Sequence, residues 1–149
     1  MESAFLLKPE AVSHFQAIQK ILEENGLKIV CFRKLRLSKK LEQGLYPNLS
    51  REVQRINERY LIGRIGIAGL VRGRNAIEKL VKICGEATDP MQCKEGTIRH
   101  LFGRKTKILL HSKGRLYKLN AIHRARTEKE VKQFKKLFFK SELTTGLIA

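Results

Sequence analysis

Hydrophobic positions along this chain switch between a two-residue and a three-to-four-residue period, and the switches mark its elements. Ala4 to Lys8 is a short apolar run ended by Pro9, which forces the residue before it into extended geometry, so a first strand is predicted there. Pro9 suits the first turn of a helix, and Val12, Phe15, Ile18 and Leu22 recur at helical spacing until Gly26 stops them. Leu27 to Leu37, centred on Ile29, Val30, Cys31 and Phe32, predicts a second strand. Ser38 and Ser50 can each cap a short helix, the second with Val53, Ile56 and Tyr60 on one side, giving a helical hairpin. Leu61 to Val71 predicts a third strand, whose glycines imply close backbone approach, and Asn75 to Cys84 a helix burying Ala76, Ile77, Leu80 and Val81. The apolar alternation ending at His123 completes the strands. Thr127 and Glu130 then form a capping box for a last helix burying Val131, Phe134, Leu137 and Phe138. This order is α+β and suits an antiparallel sheet with helices on one face.

With 149 residues the chain can bury a core as a single domain over 1–149 without metal or disulfide staples. Three cysteines, Cys31, Cys84 and Cys93, are an odd number with no CxxC spacing, and the N-terminus has no charged region followed by an apolar run. Both features point to a reducing compartment, the cytosol by default. The longest apolar stretch, Tyr60 to Val71, is broken by Arg64 and is far shorter than the ~20 residues of a membrane span. Neither a Gly-x-x-x-x-Gly-Lys-Ser/Thr loop nor Cys/His ligand spacing occurs, and His14, His100 and His111 lack partners for a metal.

Charge changes the picture. Lys and Arg number 31 against 14 Asp and Glu, a formal +17, more than one nucleotide would neutralise. From His100 to Arg126 there is no acidic residue, while Arg104, Lys105, Lys107, Lys113, Arg115, Lys118, Arg124 and Arg126 are basic. An anion is therefore the expected visitor. Arg104 to Lys118, with an apolar centre at Ile108-Leu109-Leu110 and a turn expected at Gly114, is a candidate polyanion contact through Arg104, Lys105, Lys107, Lys113 and Arg115. Arg33, Lys34, Arg36, Lys39 and Lys40 would extend it; a solvated basic surface is the alternative.

Asn120-Ala121-Ile122-His123 ends in an imidazole, which is largely neutral near pH 7 and can attack phosphorus if cations polarise the phosphate. A satisfied histidine at a strand end is the other reading of this tetrapeptide alone. Its company elsewhere is Leu7-Lys8-Pro9-Glu10-Ala11-Val12, Gly73-Arg74-Asn75-Ala76-Ile77-Glu78, Ala87-Thr88-Asp89-Pro90 and Gly96-Thr97-Ile98-Arg99. In that order, these pieces resemble the nucleoside diphosphate kinase family over most of Ala4 to Leu143, apart from about Leu41 to Gly69 and an insertion between Arg99 and Asn120.

The resemblance implies a ferredoxin-like βαββαβ core with a four-stranded antiparallel sheet and helices packed on it. It also implies transfer of the γ-phosphate of a nucleoside triphosphate to a diphosphate through a phosphohistidine on His123. Lys8, Tyr46, Thr88, Arg99 and Asn120 match its nucleotide-binding residues; Mg²⁺ would arrive with the nucleotide, and a hexamer or tetramer is expected. This chain departs from the family pattern in several places. Val81 stands where a phosphate-binding arginine is usual, with Lys82 next to it as a candidate substitute. No Phe-Phe pair follows Tyr46 to stack on a base, and Arg55 is a candidate replacement. Arg124-Ala125-Arg126 replaces a serine-bearing segment, and Gln133 aligns with the glutamate that orients the histidine. These departures keep open a second reading: a catalytically degenerate member of the fold that binds RNA or a larger assembly through its basic surface.

Overall fold

The structure, a computed structural model, describes residues 1–109 and 116–139, with side chains described except at 104–109 and 116–118. Strands β1 (Glu2–Leu7), β2 (Lys28–Arg36), β3 (Ile65–Arg72) and β6 (Ile122–Arg124) form one antiparallel sheet in the order β2-β3-β1-β6. Helix α1 (Phe15–Glu24) links β1 to β2, and α4 (Ala76–Cys84) follows β3, which gives the ferredoxin-like βαββαβ arrangement. Between β2 and β3 the predicted hairpin is formed by α2 (Lys39–Leu45) and α3 (Arg51–Leu61).

The central strand explains the layering. Successive side chains of a strand point to opposite faces, and Ala4 to Leu7 are apolar on both. Phe5 and Leu7 therefore pack with Ile18 and Leu22 of α1 and Leu80 of α4, while Ala4 and Leu6 pack with Val131, Phe134 and Phe138 of α6 (Glu128–Phe138) and Leu61 of α3. Helices cover both faces of the sheet, which corrects the expectation of one; an unbroken apolar run, unlike an alternating one, needs cover on each side. Gly69, opposite Phe5 in the register, is required there, because a Cβ would enter the Phe5 ring.

The polar punctuation acts as read. Ser38 Oγ accepts from the Leu41 amide at 3.2 Å, Ser50 Oγ from Val53 at 3.4 Å, and Thr127 Oγ1 from Glu130 at 3.1 Å. Boundaries differ in three places. Pro9–His14 is a 3-10 turn before α1, and α3 continues through Leu61, so that β3 begins only at Ile65. Arg99 lies on a short helix, α5 (Ile98–Phe102), which Thr97 caps.

The inserted segment pairs β4 (Arg104–Leu109) with β5 (Leu116–Leu119) in a separate antiparallel ribbon. The turn expected at Gly114, with Lys113 and Arg115, lies outside the described residues, as do the side chains of Arg104, Lys105 and Lys107. On β2, Arg33 donates to the Phe138 carbonyl and Arg36 to that of Gly63, so part of the basic set ties elements together. Among the described residues no helix is long and apolar enough to cross a membrane.

Candidate active site

The site begins with a strained backbone. Ala121 has φ of +73°, and the Ile122 amide donates to Asn120 O at 2.8 Å, closing a three-residue turn of the rare positive-φ kind. Such a conformation costs an alanine on the order of 1–3 kcal/mol and persists only when neighbours over-determine it. They do: the Lys8 amide donates to the Ala121 carbonyl at 2.8 Å, and the Ala121 amide donates to a Glu10 carboxylate oxygen at 2.9 Å. The other oxygen of Glu10 accepts from Tyr60. This fixed turn starts β6 and sets His123 on the wall of a cleft of about 1090 Å³.

One wall is a chain of buried polar groups. Lys8, only 6% exposed, donates from Nζ to Asn120 Oδ1 at 2.8 Å, and Asn120 Nδ2 donates to the Thr88 carbonyl at 3.0 Å. Arg99 directs Nε and Nη2 at the Ile122 carbonyl, at 3.2 and 2.9 Å, and Nη1 at the Ala87 carbonyl at 2.8 Å. Its bidentate fork thus holds the backbone just before His123 and leaves only the remaining Nη hydrogens for a ligand. On the other side Tyr46 meets the His123 ring edge-on, with centroids 5.1 Å apart, and the Lys8 ammonium lies 5.5 Å from the Tyr46 centroid. Glu42, accepting from Asn57 at 3.1 Å, ties α2 to α3 behind this wall.

The electrostatics are those of a site awaiting an anion. Lys8, Arg99, Arg124, Arg126 and Lys129 line the cleft, against Glu86 and Glu130 as its acids. Enclosure by the protein, reinforced by Lys8, Arg99, Arg124 and Arg126, pushes His123 down to about 3, so its ring is neutral and holds a free lone pair at pH 7. Burial pulls Lys8 down to about 8, with Glu10 opposing and the arginines adding to the fall. Burial, then the neighbouring Arg124, lowers Arg99 to about 10, and burial raises Tyr46. A bound phosphate would relieve every one of the cationic shifts.

The structure brings Lys8, Tyr46, Thr88, Arg99, Asn120, His123 and Gln133 to one cleft. Lys82 is not among them: it is solvent-exposed and pairs with Glu78 at 3.5 Å one helical turn away, so it does not stand in for the arginine missing at Val81, which itself lines the cleft. Neighbouring positions of a straight helix point about 100° apart, and no register slip brings Lys82 round. Arg55 is exposed and off the cleft, whose hairpin wall carries Leu45, Leu49 and Val53 instead. Gln133 lines a cavity of about 20 Å³ beside His123, with Glu130 and Leu137, and no hydrogen bond joins its amide to the ring among the described residues.

Two contributors carried no role in the sequence reading. Glu10 pins the turn, and its signal was its place inside the Lys8-Pro9-Glu10 piece. Arg124 donates from Nη2 to the Gly85 and Glu86 carbonyls at 3.1 and 3.4 Å; its signal was the acid-free stretch around His123.

Comparisons with known proteins agree with this geometry. A family model described as nucleoside diphosphate kinase matches residues 2–143. The nucleoside diphosphate kinase of Agrobacterium fabrum is 36% identical over 107 residues, covering 65% of this chain and 71% of that protein. That of Nitrosospira multiformis is 36% identical over 98 residues, covering 63% and 68%. In three dimensions, a transition state mimic of the Borrelia burgdorferi enzyme with bound vanadate and ADP superposes with a TM-score of 0.78 at 24% identity, covering 100% of this chain and 90% of that one. An NDP kinase from Pyrobaculum aerophilum gives 0.79 at 20% identity, covering 95% and 96%. The reading as an RNA- or assembly-binding module gains no support from these matches. Sheet order, the placement of His123 and the family match converge: the chain belongs to the nucleoside diphosphate kinase family.

Proposed function

We propose that the chain transfers the γ-phosphate of a nucleoside triphosphate to a nucleoside diphosphate by a ping-pong route through His123. A neutral ring nitrogen attacks the γ-phosphorus, the bond to the β,γ-bridging oxygen breaks, and the diphosphate leaves with the bridging oxygen. A terminal phosphate oxygen of a second diphosphate then attacks the phosphohistidine and regenerates the neutral ring. Lys8, Thr88 and the free edge of Arg99 hold phosphates, Asn120 positions Lys8 and meets the sugar, and Tyr46 fences the ring. Mg²⁺ enters as part of the nucleotide substrate, where it neutralises phosphate charge. The free thiols of Cys31, Cys84 and Cys93 suit a reducing compartment, and we place the activity in the cytosol.

One observation carries this reading: a neutral imidazole faces a cleft in which five cations, Lys8, Arg99, Arg124, Arg126 and Lys129, outweigh the acids Glu86 and Glu130. Incubation with a γ-labelled nucleoside triphosphate and Mg²⁺ should label His123 with an acid-labile, alkali-stable phosphate that a diphosphate removes. Folded protein that binds nucleotide yet takes up no label would overturn the proposal.

A further inference from the structure

The last turns of helix α4 meet the cleft at Val81, where the family resemblance leads one to expect an arginine, and the charge has to come from elsewhere or be lost. The guanidinium of Arg124 lies at that same end of α4. Its Nη2 is anchored on the carbonyls of Gly85 and Glu86, and Gly85 is one helical turn beyond Val81, whose carbonyl accepts the Gly85 amide at 3.0 Å. Arg124 and Val81 both line the cleft that holds His123.

A purely structural role is the competing account. An arginine at a helix C-terminus satisfies orphan carbonyls and complements the macrodipole, which explains the two bonds from Nη2. It does not explain the rest. Arg124 is 8% exposed, yet its Nε is buried with no partner, and no carboxylate pairs with it among the described residues. Arg99, also buried and without a carboxylate partner, shares the cleft. Two buried guanidinium groups with no direct carboxylate contact are unfavourable by themselves, because desolvation and mutual repulsion act together and the more distant Glu130 offsets only part of the cost at Arg124. An anion with two or three charges, reached by the spare Nε and Nη1 of Arg124 and the outer Nη hydrogens of Arg99, removes both costs.

We propose that Arg124 grips the phosphate chain of the nucleotide beside Arg99, supplying from strand β6 the charge that α4 lacks at Val81. The inference rests on the phosphotransfer reading and adds a residue to it. It predicts selectivity for the distal phosphates: Arg124 acts on the β- and γ-phosphates and not on the nucleoside or its first phosphate.

Arg124→Gln is the decisive variant, since the amide can still donate to the Gly85 carbonyl while the charge is removed. Calorimetric titration with Mg-ADP and with AMP is expected to show ADP affinity reduced roughly 10- to 100-fold, the span of a charged hydrogen bond, and AMP affinity unchanged. Equal losses for both ligands, or an unchanged ADP affinity accompanied only by a lower melting temperature, assign Arg124 to capping α4 and overturn the proposal. Should the variant not fold, the wild-type protein decides. Its Arg124 Nε–H resonance should move downfield on saturation with ADP but not with adenosine, and a resonance that stays in place overturns the proposal. Wild-type protein that binds no ADP at all removes the phosphotransfer reading together with this one. Wild-type binding with an unaffected Arg124→Gln removes this one alone.

Discussion

The two walls of the cleft are built on different principles. On the sheet side, Lys8, Asn120, Thr88 and Arg99 form a continuous set of bonds into backbone carbonyls at Thr88, Ala87 and Ile122, so that the reacting region is held by the fold itself. On the helical side, the hairpin presents Leu45, Leu49 and Val53, α6 presents Gln133 beside a cavity, and the contact to His123 is a ring edge from Tyr46. The residues proposed to hold the phosphates, Lys8 and Arg99, sit where backbone geometry dictates them. Of the departures from the family pattern, the missing aromatic pair, with Val53 in its neighbourhood, and Gln133 fall on the wall built from side chains, whereas Arg124 falls on strand β6 of the sheet wall. On the proposed reaction, the sheet wall would carry the chemistry and the helical wall would tune it.

The largest effect separating the walls is expected at the nucleophile. His123→Gln should lower phosphotransfer by roughly 10⁴-fold or more, as removal of an essential nucleophile does elsewhere. The same variant reports on burial. In the folded chain His123 titrates near 3, whereas unfolded imidazole titrates near 6.5. Between these values the unfolded state binds the proton and the folded state does not, so this group lowers stability progressively as pH falls from about 6.5 towards 3. Above about 6.5 it contributes no pH dependence. Urea melts at pH 7 and pH 4.5 should show a smaller acid loss for His123→Gln than for wild type; equal losses would mean that the ring is freely solvated.

Next in size is the proton linkage of Lys8. Its folded value of about 8 lies below the usual lysine value because of burial, and a phosphate within reach raises it again. Nucleotide binding near pH 8 to 9 should thus take up a fraction of a proton, measurable as a dependence of calorimetric enthalpy on buffer ionisation. Lys8→Met should abolish the uptake and weaken ADP by about tenfold or more, the loss of one charge-assisted contact. Uptake that persists in the variant would assign the titration to another group. Free of ligand, Lys8 favours the unfolded state below about pH 8, and that penalty fades as pH rises from 8 towards 10.5, so Lys8→Met should be at least as stable as wild type at pH 7.

How much of this was legible in the sequence follows the same division. The strands of the main sheet and the three serine and threonine caps could be read because turn chemistry specifies them locally, and the gathering of Lys8, Thr88, Arg99, Asn120 and His123 was implied by the family resemblance. The second helical layer was missed because an apolar run such as Ala4 to Leu7 gives no phase, and only the packed fold shows that both faces need cover. The strain at Ala121 had no signal, since alanine is not a residue that advertises positive φ. Arg99 was expected to bind nucleotide, and nothing in one dimension indicates that the Ile122 carbonyl lies within 3 Å of it. Lys82 was a candidate by adjacency, which on a helix is the wrong neighbourhood: its partner is Glu78, four residues back.

The smallest expected effect tests whether the helical wall still tunes the ring. Gln133 borders the cavity of about 20 Å³ that also touches His123 and Glu130, large enough for about one water and lined by polar groups that could hold it. An amide there can orient the imidazole but cannot offset the positive charge that grows on it as the phosphorus–nitrogen bond forms, whereas a carboxylate of the same shape can. Gln133→Glu changes no volume, so the packing of Phe134 and Leu137 beside it should be kept. The turnover number should then rise by about tenfold, roughly 1.4 kcal/mol off the barrier, with little change in KM, because the new charge acts on the transition state rather than on bound nucleotide. The His123 pKa should rise with it, and NMR titration of the ring would follow that directly. A turnover number that stays put while the ring pKa moves would mean that attack on phosphorus does not limit the rate. If both stay put, α6 no longer reaches the nucleophile, and the sheet wall alone sets the chemistry.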